Sequence, residues 1–337
     1  MLTMLLLGMF ALDPVVEITL DNQGMYWPLI GYNRASIAAD GTFLILSQYY
    51  LWHLNGNGSL IRRLGGKGEG PGEFGLLIDA LWDGQYYWVL DANYRMSTLY
   101  NGQGRFLSKS PIYFRQLVRA HDHLFGLDIS GFDPWRTNYP PVLQEIGFRV
   151  EDQELLVEPK EDRFRKVTPR QLEFKFNFKL LWMVQKNGTY MVMDQLEPKI
   201  FLYDHEAIYR ERLTQIDEPY TPPYLPVQLR RWVEPPTGFQ RNIGTQDIYR
   251  KWWCSWSRVT FFCEWDDHFF VAYEIPDPED DESTIQVMQK IAVDGRAIGP
   301  AVEVKGFVAG VKNGTAFVLF EDEFSDEFTY YFRGYSW

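Results

Sequence analysis

This chain has few cysteines, no long apolar run and no concentration of positive charge, and each shortage removes a class of answers. Its 337 residues contain two cysteines, Cys254 and Cys263. On one extended segment, nine residues at about 3.3 Å each would set them roughly 30 Å apart. A disulfide spans only about 6 Å between Cα atoms, so neither a disulfide framework nor a cysteine metal site is expected. The apolar opening, Met1-Leu2-Thr3-Met4-Leu5-Leu6-Leu7-Gly8-Met9-Phe10-Ala11, is short of the roughly 20 residues a membrane helix needs. Asp and Glu total 45 against 33 Lys and Arg, a net charge of −12. That balance argues against a nucleic-acid or anionic-membrane surface, both of which need clustered cations. The five histidines (His53, His121, His123, His205 and His268) have no metal-ligand spacing, and no Gly-x-Ser-x-Gly elbow occurs.

What is present is apolar and aromatic. Hydrophobic residues make up 46% and aromatic residues 17%, enough for a substantial core. Residues 1–12 read as a signal or targeting segment, since the run matches the hydrophobic part of a secretory leader. No basic residue precedes it, and Met9-Phe10-Ala11 is a poor cleavage site; a buried first strand is the plainer alternative. Residues 13–337 read as one domain.

The organising feature is a repeat. Six Asx turns each precede a strand rich in aromatic and branched residues: Asp40-Gly41, Asp83-Gly84, Asp122-His123, Asn187-Gly188, Asp266-Asp267 and Asn313-Gly314. Asx-Gly between apolar runs is a strong hairpin signal, because a tight hairpin turn requires positive φ. Five of the six strands close on an acid: Asp91, Asp128, Asp194, Glu274 and Glu321, with Ser47 in the first copy. A third strand, a second polar turn and a fourth strand usually follow. Four short antiparallel strands at a period of about 40–50 residues describe a propeller blade. The last copy stops one strand early, and Val15–Leu20 could supply the missing strand. The expected fold is therefore all-β: a six-bladed β-propeller whose last blade is closed by the N-terminal strand. Extra chain falls near 131–141, 161–178 and 217–252, and the last of these is Pro-rich enough to suggest an ordered flap.

Between the first two copies lies Gly65-Gly66-Lys67-Gly68-Glu69-Gly70-Pro71-Gly72-Glu73-Phe74. It is not a phosphate loop, since Gly66-Lys67 is followed by Gly68 rather than Ser or Thr. Its glycines suit a tight crossing between blades, with Phe74 filling the gap. This linker, with the strand–turn–strand pattern ending in an acid, resembles NHL-repeat and related bacterial six-bladed β-propeller proteins. That resemblance implies a family of mixed use, including sensors, binding modules and a few lyases and lactonases, so it implies a fold rather than an activity.

Rotation about the propeller axis should bring equivalent positions to one face. The five acids would then form a ring suited to Ca²⁺ or Mg²⁺, or would simply cap their own loops. Basic residues where the innermost strands begin, Arg34, Arg115, Lys179, Arg258 and Lys305, should crowd the same mouth. There they would grip an anion or answer the acids. In the long insertion, Trp232 is a candidate ligand contact. The leading expectation is a non-enzymatic secreted or periplasmic binding protein that takes a small anion, a glycan or a protein on the channel face. A divalent-metal hydrolase, lactonase or lyase at the same mouth is the alternative; no catalytic residue is assigned.

Overall fold

The computed structural model describes residues 13–20, 35–111, 114–120, 123–128, 142–151, 154–159, 181–186, 189–194, 200–204, 251, 254–255, 257–265, 268–277, 279–292, 297–322 and 329–336. The run 1–12, the insertions near 131–141 and 161–178, and all of 217–252 except Lys251 lie outside them. So do Arg34, Lys179 and Trp232.

The chain opens with β1 (Val16–Thr19). Sheet one holds β2 (Ala35–Ile37), β3 (Phe43–Leu46), β4 (Tyr50–Leu54) and β5 (Leu60–Gly65). Sheet two holds β6 (Leu77–Trp82), β7 (Tyr86–Asp91), β8 (Met96–Asn101) and β9 (Phe106–Ser110). Sheet three holds β10 (Phe114–Ala120), β11 (His123–Asp128), β12 (Val142–Glu151) and β13 (Glu154–Pro159). The described part of sheet four is β14 (Leu181–Lys186), β15 (Thr189–Asp194) and β16 (Ile200–Asp204). Sheet five holds β17 (Arg258–Trp265), β18 (His268–Pro276), β19 (Thr284–Ala292) and β20 (Ala297–Val304). Sheet six holds β21 (Phe307–Lys312), β22 (Thr315–Asp322) and β23 (Thr329–Tyr335), with β1 along its outer edge. The fold is all-β, and every pairing in these sheets is antiparallel.

The first two strands of each sheet flank one of the six Asx turns. Asn313 and Gly314 have φ of 51° and 69°, the left-handed pair a tight hairpin between right-twisted strands demands. First strands of successive sheets lie against one another. β10 touches β6 and β14, β17 touches β14 and β21, and β21 touches β2, while β6 meets β3 of sheet one. The arrangement is propeller-like.

Strands buried on both faces should read as continuous apolar runs, with alternate residues serving opposite neighbours. β3 and β7 do this. Phe43 and Ile45 pack into the cluster that sheet one shares with sheet six, while Leu44 joins the cluster shared with sheet two. Tyr87 and Val89 of β7 enter that second cluster, and Trp88 and Leu90 turn to sheet three. The seam between the first and last sheets is the most aromatic, with Phe43 stacked on Phe332 at 4.1 Å and edge-on to Phe317 at 5.4 Å.

β1 joins the chain ends. Val16 through Thr19 pair with Gly334 through Tyr331. Beyond the strand, the Val15 amide donates to Gly334 O at 2.8 Å and the Leu20 amide to Tyr330 O at 3.0 Å. Glu17 adds an ion pair to Arg333 at 2.7 Å. Leu20 is buried in the aromatic seam.

The Gly-rich crossing is a structural plug. Phe74 is fully buried among residues of sheets one and two. Its amide donates to Gly66 O at 2.7 Å, and its carbonyl accepts from the Gly68 amide at 3.2 Å. The Tyr100 hydroxyl donates to Gly72 O at 3.1 Å.

Two outcomes follow. Removing residues 1–20 should abolish cooperative thermal unfolding or lower its midpoint sharply, because the outer edge of β23 and the apolar seam lose their cover; an unchanged midpoint would refute the closing role of β1. Phe74→Ala should cost about 3–5 kcal/mol in urea denaturation.

Candidate functional site

Strand register decides which residues share an end of the sheets. In sheet five, Arg258 and Glu274 are direct cross-strand partners. Asp91 lies opposite Leu77, Asp128 opposite Phe114 and Asp194 opposite Leu181. The acids that close the second strands therefore sit beside the starts of the innermost strands, at the end called here the mouth. Four innermost strands also carry a bulge near that end: between Leu77 and Asp79, Phe114 and Gln116, Val259 and Phe261, and Val308 and Gly310. Bulges re-aim side chains at such rims.

The predicted mouth residues have different roles. Arg258 is buried and its guanidinium forms an ion pair with Glu274. Gln286, the next residue across the sheet, donates its amide to the same carboxylate at 3.4 Å. The Arg258 charge is thus answered inside its own sheet. Lys305 is exposed just beyond β20, and among the described residues it has no carboxylate partner. Arg115 lies at the bulge of β10.

Asp91 acts as a loop cap. One oxygen accepts from the Gly75 amide at 2.7 Å, and the other from the amides of Leu76, Asn93 and Tyr94 at 3.2, 2.9 and 3.2 Å. A carboxylate holding four backbone donors fixes both the linker exit and the β7–β8 turn. Among the described residues no group of three His, Cys, Asp or Glu side chains is placed to hold a metal ion.

Sequence reasoning passed over Asp79. It follows the bulge in β6, is 6% exposed, and accepts from the Leu117 amide of β10 at 2.6 Å and from the Ala80 amide at 2.9 Å. Burial pushes its carboxyl up to about 7, against the two amides that favour the charged form. The one sequence signal was an acid inside the apolar run Leu77-Ile78-Asp79-Ala80-Leu81-Trp82.

At the opposite end, the hairpin turns are fastened to each other. Asp40 accepts from Trp82 Nε1 at 2.7 Å, joining sheets one and two. Arg119 donates to Asp83 O at 3.1 Å, joining sheets three and two, and Lys312 donates to Gly41 O at 2.8 Å, joining sheets six and one. Behind them His53 bridges Thr42 Oγ1 and the Tyr87 hydroxyl, both at 2.6 Å. Thr42 gives its hydroxyl proton to Asp40, so its oxygen accepts from His53 Nε2–H, and His53 Nδ1 accepts from Tyr87. Burial holds the imidazole down at about 4, so it is neutral at pH 7.

Asp79 gives a pH test. Its folded value lies above the ordinary 3.8, so the folded chain binds the extra proton and stability falls as pH rises from about 4 to about 7. Asp79→Asn removes this titration. Relative to that variant, the parent should lose stability across the interval at up to about 1.4 kcal/mol per pH unit, as read by urea unfolding. A difference independent of pH would refute it.

No family model matches the chain, and no curated protein matches it. Solved structures do. A member of the DUF4221 family from Bacteroides vulgatus is similar over 97% of this chain and 98% of its own, at 11% identity and a TM-score of 0.55. A Bacteroides fragilis protein assigned as exported is similar over 94% and 93%, at 12% identity and a TM-score of 0.52. At such identities the likeness is one of fold, extending over nearly the whole of each chain.

Proposed function

We propose that the six sheets are the blades of a closed six-bladed propeller, and that the protein is an exported, non-enzymatic binding module whose mouth takes an anionic ligand. The observation that carries this reading is the register. It collects the starts of the innermost strands at the same end as the acids of the second strands, with Arg258 of β17 directly opposite Glu274. The run of contacts from β2 through β21, β17, β14 and β10 to β6, returning through β3, supports closure. Similarity to an exported Bacteroides protein supports the location.

Within this reading the cations divide their work. Arg258 holds Glu274 and keeps the mouth of sheet five in shape, whereas exposed Lys305 meets the ligand. Arg34, Arg115, Lys179 and Trp232 stand as further candidate contacts. A hydrolytic metal centre would need three or four ligands converging with one open position. Asp91, committed to four backbone amides, and Glu274, committed to Arg258, are poorly available for that. An acidic glycan fits the mouth better than a duplex or a membrane, since its charges are sparse and its hydroxyls can use the polar rim.

The test is binding of polygalacturonate against neutral dextran. The acidic polymer should bind in a salt-sensitive manner, and Lys305→Glu should weaken it several-fold with little change in stability. Arg258→Ala should instead cost about 1–3 kcal/mol of stability by leaving Glu274 without its partner. Equal binding of both polymers, or full binding by Lys305→Glu, would overturn the assignment.

A further inference from the structure

A second site lies at the other end of the molecule and does not depend on the mouth. Between the innermost hairpin turns of sheets one and six there is a cavity of about 460 Å³, lined by Ile37, Ala38, Asp40, Gly41, Lys312 and Asn313 among others. This volume is in the range of small-molecule sites, and its exposed lining is mostly polar.

Lys312 is the group that gives the cavity its chemistry. It ends β21 and immediately precedes the rigid Asn313-Gly314 turn. Its ammonium donates to Gly41 O, which leaves two of its three N–H bonds unused in the described structure. Asp40 lines the same cavity, but its carboxylate does not answer the charge. Oδ1 accepts from the Thr42 amide at 3.0 Å and the Thr42 hydroxyl at 2.6 Å, and Oδ2 accepts from Trp82 at 2.7 Å. Among the described residues no carboxylate is paired with Lys312. The side chain is also held in place. Gly41 has φ of 80°, and a Cβ there would overlap Lys312 Nζ, so any larger residue would push the end of the lysine aside.

We propose that this cavity binds a hydroxylated monocarboxylate, of the sugar-acid or hydroxy-acid class, with its carboxylate on Lys312. A single ammonium matches a single negative charge. In a chain of net charge −12, with Asp40 on the same wall, a dianion would carry charge that nothing there neutralises. The remaining wall combines the turn residues and Asn313, whose backbone and amide groups can serve hydroxyls, with the apolar Ile37 and Val311. Ala38, Ala39 and Gly41 keep that wall shallow enough for a ring or short chain to lie against it. A ligand held there touches the first and last sheets together and so stabilises the seam.

The experiment is calorimetric titration of the full chain with gluconate, using sorbitol as the uncharged match, glucosamine as the cationic match and inorganic phosphate as the compact polyanion. Gluconate should bind one to one and raise the thermal midpoint, while sorbitol and glucosamine should bind at least tenfold more weakly. Lys312→Gln should weaken gluconate at least tenfold, and Lys312→Arg should keep it within about threefold by retaining the charge. If Lys312→Gln fails to fold, Lys312→Met, which keeps the length of the side chain and removes the charge, serves as the second variant and should also weaken binding. Phosphate binding more tightly than gluconate would overturn the ligand class. Gluconate binding lost in Lys305→Gln but kept in Lys312→Gln would place the anion at the mouth and overturn the second site. Absence of saturable binding would overturn it outright.

Discussion

The architecture depends on one strand pairing, that of β1 with β23. The six sheets pair their backbones internally, and sheets one, two, three, five and six lay apolar side chains against neighbouring sheets or within shared clusters. Such packing is non-directional and scales with the area covered, at about 25 cal/mol per Å². It does not say which sheet follows which at the chain ends. β1 does, because hydrogen bonds of fixed register place the start of the chain on the outer edge of the sheet formed by its end. Leu20 then delivers the chain into the seam where Phe43 stacks on Phe332.

Polar groups at both ends of the sheets fasten loops and neighbouring sheets. At the mouth, Arg258 answers Glu274 within one sheet and Asp91 holds amides of its own turn and of the linker, while the Leu77 amide reaches Gln48 O of sheet one at 2.9 Å. At the hairpin end, partners belong to the neighbouring sheet: Asp40 with Trp82, Arg119 with Asp83 and Lys312 with Gly41. Cross-links of this kind tie the stability of neighbouring sheets together at the hairpin end.

How much could be read beforehand follows the range of each interaction. The hairpins were legible because positive φ at an Asx-Gly pair is a demand of the local chain, and strands do flank all six turns. The burial of Phe74 was legible because a glycine-rich crossing between apolar runs leaves one large side chain to fill it. The pairing of Arg258 with Glu274 was legible as a shared height, but the partner's identity required the register. Asp79 was not legible, since its meaning depends on a bulge and on an amide 38 residues away in the next sheet. The seam cavity was still further out of reach, because Lys312 and Gly41 are separated by 271 residues. No local pattern connects them until the pairing of β1 with β23 has brought the chain ends together.

Two of the buried titratable groups oppose one another. His53, held neutral down to about 4 from an ordinary 6.5, favours the folded state less as pH falls through that interval, because the unfolded imidazole takes up the proton first. Asp79, protonated up to about 7 from an ordinary 3.8, has the reverse slope across nearly the same range. Their sum is flatter than either alone. A shallow pH–stability profile in this protein would therefore reflect cancellation between two buried groups, not an absence of titrating groups in its interior. His53 joins sheet one to sheet two through Tyr87, and Asp79 joins sheet two to sheet three through Leu117. Acid thus charges the imidazole that faces Tyr87 and neutralises the buried carboxyl that faces the Leu117 amide, and sheet two is the element on which both effects converge.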